Sequence, residues 1–159
     1  MLSRLDIARD ASGAIYGTLI TASTMVGAAE GVHDLWEIAA TVLVTLTVYT
    51  VAHAYAEVLG APDGRVPSWA AVVHELAVES TMLTACVLPL AVMVGASLLG
   101  ASLDEAVTAG ACSAVAMLFV WGPVAARKVH AGAITQLVSA VAFGLLGLAI
   151  VALKVTTSH

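Results

Sequence analysis

The sequence contains no asparagine and very little charge. Asp, Glu, Lys and Arg make up 11% of its 159 residues, less than half of the roughly 25% usual in a soluble domain. Basic residues are the scarcer class, six against eleven acids, for a formal net charge of −5. A chain this poor in Lys and Arg has no basic patch to neutralise phosphates, which excludes nucleic acid as an expected partner. There are only two cysteines, Cys86 and Cys112, each inside an apolar run. They read as small buried side chains rather than a disulfide or a metal pair. No Ser/His/Asp arrangement, phosphate loop or dinucleotide fingerprint occurs, so no enzyme and no tightly bound cofactor are expected. The opening MLSRLDIARDASG has no apolar core with a cleavage site, so no removable signal peptide is expected. No low-complexity linker or second soluble domain is visible either, which leaves one membrane domain over residues 1–159.

What fills the chain instead is apolar: 60% hydrophobic residues and a mean hydropathy of +0.99. Five runs approach the length of about 20 residues that a helix needs to cross a bilayer. They lie near 11–29, 36–59, 80–99, 103–122 and 132–153. Strand alternation is absent, and helices satisfy their own backbone groups in lipid. The expected fold is therefore all-α and integral to the membrane, with five transmembrane helices. Between the second and third runs, Pro62, Asp63 and Gly64 spell a turn, and Pro67 with Ser68 marks a helix start. From there a short amphipathic helix over about 68–79 runs into the third crossing, predicting one continuous element from Trp69 to Leu99 with a kink at Pro89.

Arg4, Arg9, Arg65, Arg127 and Lys128 fall on one side of five crossings, whereas the opposite loops hold no Lys or Arg; Lys154 is the exception. The positive-inside rule then puts the N-terminus in the cytoplasm and the C-terminus outside, and the richness in Ala, Val and Gly points to a bacterial inner membrane. Trp36, Trp69 and Trp121 sit near segment ends as interface anchors. Glycines four apart, Gly13 with Gly17 and Gly27 with Gly31, suit close helix approach, either within one chain or in a homodimer.

The unexpected residues are polar. His53 and Glu57 share one helical face near the inner end of the second segment. The next element starts on the same side with His74, Glu75 and Glu79. Ionisable groups at membrane depth are expensive and usually face a bundle interior or a watery path. Mixed imidazole and carboxylate donors suit Fe²⁺, Mn²⁺ or Zn²⁺, so these five residues are the expected metal site. The competing reading pairs Glu57 and Glu79 with Arg9 or Arg65 and has His53 bonding a carbonyl. A proton or small-solute path through the same groups is a further alternative. His33, Asp34 and Glu37 read as a solvated acidic loop. Asp104 and Glu105, after Ser102, read as the acidic first turn of a capped helix. Met25, Met82, Met93 and Met117 read as packing.

In order, SGAIYGTLITASTMVGAAEG, AHAYAEV, VLPLAV, FVWGPVAARK and AITQLVSAVAFGLLGLAI resemble the successive segments of the vacuolar iron transporter family. Gly17 matches the glycine of that family's first-segment motif, and Glu57 falls on its second-segment glutamate. The resemblance implies five crossings, a dimer, and proton-coupled export of Fe²⁺ or Mn²⁺. The chain departs from the pattern at Tyr16, where the family has a metal-carrying Asp, and at His53, where it has Met. The long cytoplasmic metal-binding helices are reduced to the stretch bearing His74, Glu75 and Glu79. These departures sustain an alternative, a non-transporting membrane-embedded structural or partner-binding subunit.

Overall fold

The computed structural model describes the backbone of residues 2–60, 68–128 and 132–157. Side chains are described from Ser12 onward, except at 128, 151 and 153–157. Among these residues every element is helical: α1 (Leu2–Ala28), α2 (Leu35–Gly60), α3 (Trp69–Val78), α4 (Ser80–Thr84), α5 (Val87–Leu98), α6 (Leu103–Lys128) and α7 (Ala133–Thr157). Among the described residues four stretches are long and apolar enough to cross a membrane, namely Leu35–Gly60, Ser80–Leu98, Leu103–Arg127 and Ala133–Ile150. The bundle carries its large apolar side chains outward as well as inward. Leu43, Val44, Val48, Leu137, Val138 and Leu145 are all exposed, the distribution expected where lipid tails are the solvent.

Local chemistry sets the helix starts. Asp34 Oδ1 accepts the N–H groups of Trp36 (2.8 Å) and Glu37 (3.1 Å) at the head of α2. Ser68 Oγ accepts the Ala71 N–H at the head of α3. Ahead of α6, Ser102 and Glu105 form a reciprocal capping box: the Ser102 N–H donates to Glu105 Oε2 (2.8 Å) and the Glu105 N–H to Ser102 Oγ (3.4 Å). Each arrangement satisfies donors that a helix cannot pair internally. The acidic residues after Ser102 thus do what their spacing predicts.

The stretch from Trp69 to Leu99 is not one helix. It breaks at Glu79 and again at Ala85–Cys86, leaving α4 as a five-residue helix between the two. Proline explains the second break. Pro89 cannot donate to the carbonyl four residues back, and its ring crowds that carbonyl. The residue four back is Ala85, so the helix restarts at Val87 with Pro89 buried in the first turn of α5. The expected kink is therefore a break displaced by one turn. The Cys86 N–H turns back to the Leu83 carbonyl (3.4 Å), so the Met82 carbonyl loses its helical partner.

Small residues bring the helices together inside one chain. A Cβ on Gly17 would collide with the Met82 carbonyl oxygen and come within 3.0 Å of the Ala85 Cβ. Backbone of α4 thus rests on backbone of α1, an approach only glycine permits. Gly110 lies against Met25 and the Pro89 carbonyl, and Gly122 against the Ser139 carbonyl. A Cβ added at Gly27 or Gly31 would meet no neighbouring element within 4 Å. Of the two reasons for the Gly13–Gly17 spacing, the structure shows contact within the monomer.

The apolar core gathers Met25 of α1, Ile38, Val42 and Leu46 of α2, Cys86, Met93 of α5 and Ala106 with Val107 of α6. Along α2 the buried positions recur every four residues, from Ile38 through Val42, Leu46 and Thr50 to Ala54. This stripe is apolar in its first half. Near its far end the polar group begins.

Candidate functional site

His53 lies on α2 one position before the buried Ala54, at the edge of the inward stripe, with its side chain 33% exposed. Glu57 follows one turn later and is 41% exposed. Glu79 comes from a different element, the junction of α3 and α4, and its side chain is only 5% exposed. The break there turns the chain so that the carboxylate lies inside the bundle, with its Oε2 3.5 Å from where a Gly13 Cβ would stand. That is ordinary contact, so a side chain at 13 would touch the acid without displacing it.

His53 Nε2 stands 3.8 Å from Glu79 Oε1 and 4.0 Å from Glu57 Oε1. Neither separation is a hydrogen bond. Both fall in the range a shared cation would span, because two metal–ligand bonds of about 2.1 Å put nitrogen and oxygen from about 3 to about 4.2 Å apart. A proton on the imidazole would equally make His53 a cation between two acids. Tyr49, one turn back on α2, lies nearly parallel to the His53 ring, with centroids 6.3 Å apart and planes at 9°.

The sequence proposed five ligands, and the structure brings two of them, Glu57 and Glu79, separately to within 4.0 Å of His53. Glu75 is half-buried and His74 exposed, one turn or more before Glu79 on α3. Among the described residues no ion pair joins either to His53. Nor, among the described residues, do three His, Cys, Asp or Glu side chains stand as a group that could hold a metal ion. The arrangement is two pairwise approaches meeting at His53, not a closed cage. Glu57, Glu75 and Glu79 each make further polar or electrostatic contacts. Arg65 and the Arg9 side chain, the partners considered for these acids, lie outside the described residues.

One layer of the neighbourhood escaped the sequence reading. Thr50 and Met82 are both fully buried, and the Thr50 hydroxyl, which donates to the Leu46 carbonyl (2.8 Å), also lies 3.7 Å from the Met82 sulfur. Thr50 precedes His53 by three residues and Met82 follows Glu79 by three, so the two pairs occupy successive turns of the same helix contact. That common spacing was the available signal.

No protein-family model matches the chain, and no curated protein or solved structure matches it.

Proposed function

We propose that this is a small membrane carrier for a divalent cation, Fe²⁺ or Mn²⁺ with Zn²⁺ as a further candidate, moved in exchange for protons. The observation that carries the reading is His53 placed between two carboxylates from different elements, one of them almost wholly buried in an otherwise apolar bundle. Burying a carboxylate away from water is costly, and such groups at membrane depth commonly mark ion paths. In this reading α1 is the fifth crossing, the N-terminus is cytoplasmic, and the working unit is a homodimer in a bacterial inner membrane. Glu75 and His74 collect the ion near the start of α3. The ion enters between His53, Glu57 and Glu79 by displacing their protons, which links uptake to pH. The likeness of its segments to the vacuolar iron transporter family supports the same reading.

A second reading, a non-transporting structural or partner-binding subunit, is favoured by the failure of the three groups to converge on one point. Uptake of Mn²⁺ into proteoliposomes separates the two. Glu79→Gln keeps the volume and removes the charge, and should slow uptake about tenfold, the worth of one charge-assisted contact. Glu57→Gln, at a more exposed position, should slow it less. Equal uptake by the natural chain and Glu79→Gln would exclude the carrier.

A further inference from the structure

We propose that α3 is a membrane-surface helix whose outward face rests in the boundary between phospholipid headgroups and acyl chains, on the side where α2 ends. The inference goes beyond the carrier reading and holds whether or not the chain moves a cation. The two sides of this ten-residue helix are reversed relative to a helix in water. Its exposed positions Trp69, Ala70, Val73, His74 and Ala77 follow one another at helical spacing on a single face. Its acids, Glu75 and Glu79, fall on the opposite, packed side, half-buried and buried. A surface helix of a soluble protein turns its charges outward and its apolar stripe inward. Here Trp69 is 78% exposed and Val73 is exposed beside it, so the medium on that side is not bulk water.

The level of α3 fits that medium. The stretch Ser80–Leu98 that follows it has 19 residues, about 28 Å of helix, which nearly crosses a hydrocarbon layer of about 30 Å without help from α3. Meanwhile α3 packs on α2. With His53 opposite Glu79 and Thr50 opposite Met82, the two elements run in opposite directions and α3 lies beside the last turns of α2. At 26 residues, about 39 Å, α2 outruns the hydrocarbon, so its end turns stand among headgroups. Those turns also expose Tyr55 and Leu59, and Trp and Tyr are the side chains enriched at this depth. A second copy of the chain is the other occupant such a face could take. One side of a helix about 15 Å long and about 10 Å across offers on the order of 150 Å², far short of the roughly 800 Å² per partner that a stable interface buries. Lipid needs no such minimum. Glu79, at the inner end of α3, and His53 opposite it then lie directly beneath the headgroups.

The test is tryptophan fluorescence of the full chain in phosphatidylcholine vesicles, with Trp36→Phe and Trp121→Phe leaving Trp69 as the reporter. Lipid brominated near the carbonyl end of its acyl chains should quench Trp69 about twofold more strongly than lipid brominated near the methyl end, and iodide in the buffer should quench it weakly. Trp69→Phe in the otherwise natural chain, a single replacement at an exposed position, should remove a share of the shallow-quenched signal. An unchanged shallow-quenched signal in that variant overturns the proposal. Iodide quenching as strong as that of free tryptophan puts the face in water and overturns it as well. So does stronger quenching from the methyl end, which puts the face in the hydrocarbon. Quenching by neither bromine nor iodide means that protein covers the face, and a second copy then replaces lipid as its partner.

Discussion

Replacing Gly17 with alanine adds one methyl group at the tightest helix contact around the polar site. The new carbon would meet the Met82 carbonyl oxygen far inside contact distance, with the carbonyl carbon at 3.1 Å and the Ala85 Cβ at 3.0 Å. None of these atoms can rotate away, since two are backbone and the third is a Cβ. Relief requires α1 and α4 to separate by something on the order of an ångström, given carbon contacts that are optimal near 3.5–4 Å. Overpacking of this kind costs about 1–3 kcal/mol, which corresponds to a fall of about 5 °C in melting temperature for a chain of this size. Gly13 supplies the control. A Cβ there would find its nearest neighbours at 3.5, 3.7 and 3.9 Å, ordinary contact. Gly13→Ala should accordingly be nearly neutral, the small crowding of Glu79 offset by alanine's better helix propensity. Thermal unfolding in detergent, followed by circular dichroism, reads both variants. If the two glycines instead formed a motif between subunits, both variants would weaken association, and Gly17→Ala would leave monomer stability alone. Equal melting temperatures for Gly17→Ala and the natural chain would refute the packing argument.

Two further substitutions test other contacts. Asp34→Ala removes the acceptor for two N–H groups at the head of α2 and should cost about 1 kcal/mol; Asp34→Asn should recover most of it, and a denaturant titration of both variants decides the point. Gly122→Ala drives a methyl into the Ser139 carbonyl at 2.9 Å, whereas at Gly144 the obstacle is the ring of half-exposed Phe119, which can swing aside. Melting temperatures should therefore fall more for Gly122→Ala than for Gly144→Ala, and the reverse order would show that α6 and α7 are not held by backbone approach.

The membrane character and the helical class were legible because they rest on composition alone, and no local detail can reverse an excess of apolar residues this large. The capped start of α6 was legible too, since Ser102 and Glu105 carry the reciprocal spacing in the chain itself. What stayed hidden was the segmentation of Trp69–Leu99. Ala85 and Cys86 are not helix breakers, and Pro89 announces a disturbance without saying whether the helix bends or stops. Tertiary contact with Gly17 accompanies the outcome, and that partner lies more than sixty positions earlier in the chain. For the site, the shared face of His53 and Glu57 followed from spacing within one helix, whereas their approach by Glu79 depended on topology. His74, placed with Glu79 by proximity in sequence, is exposed because α3 ends before the turn that carries Glu79 inward. Met82 went unweighted because methionine is so common in apolar packing that only its contact with Thr50 sets it apart.

The break at Glu79 bears on whether the site is architecture or function. Residues that begin helices for structural reasons do so with short oxygen-bearing side chains folded back onto their own backbone. Asp34, Ser68 and Ser102 all behave in that way here. Glu79 occupies the same kind of position ahead of α4, yet its side chain makes no capping hydrogen bond. It extends instead toward α2 and α1, ending between His53 and Gly13. Serine or aspartate would start α4 at lower cost in burial, because an ionisable group held this far from water must recover its lost hydration from its neighbours. The long acid is instead directed away from its own helix and toward an imidazole on another, and the five-residue helix that follows rests its backbone on Gly17.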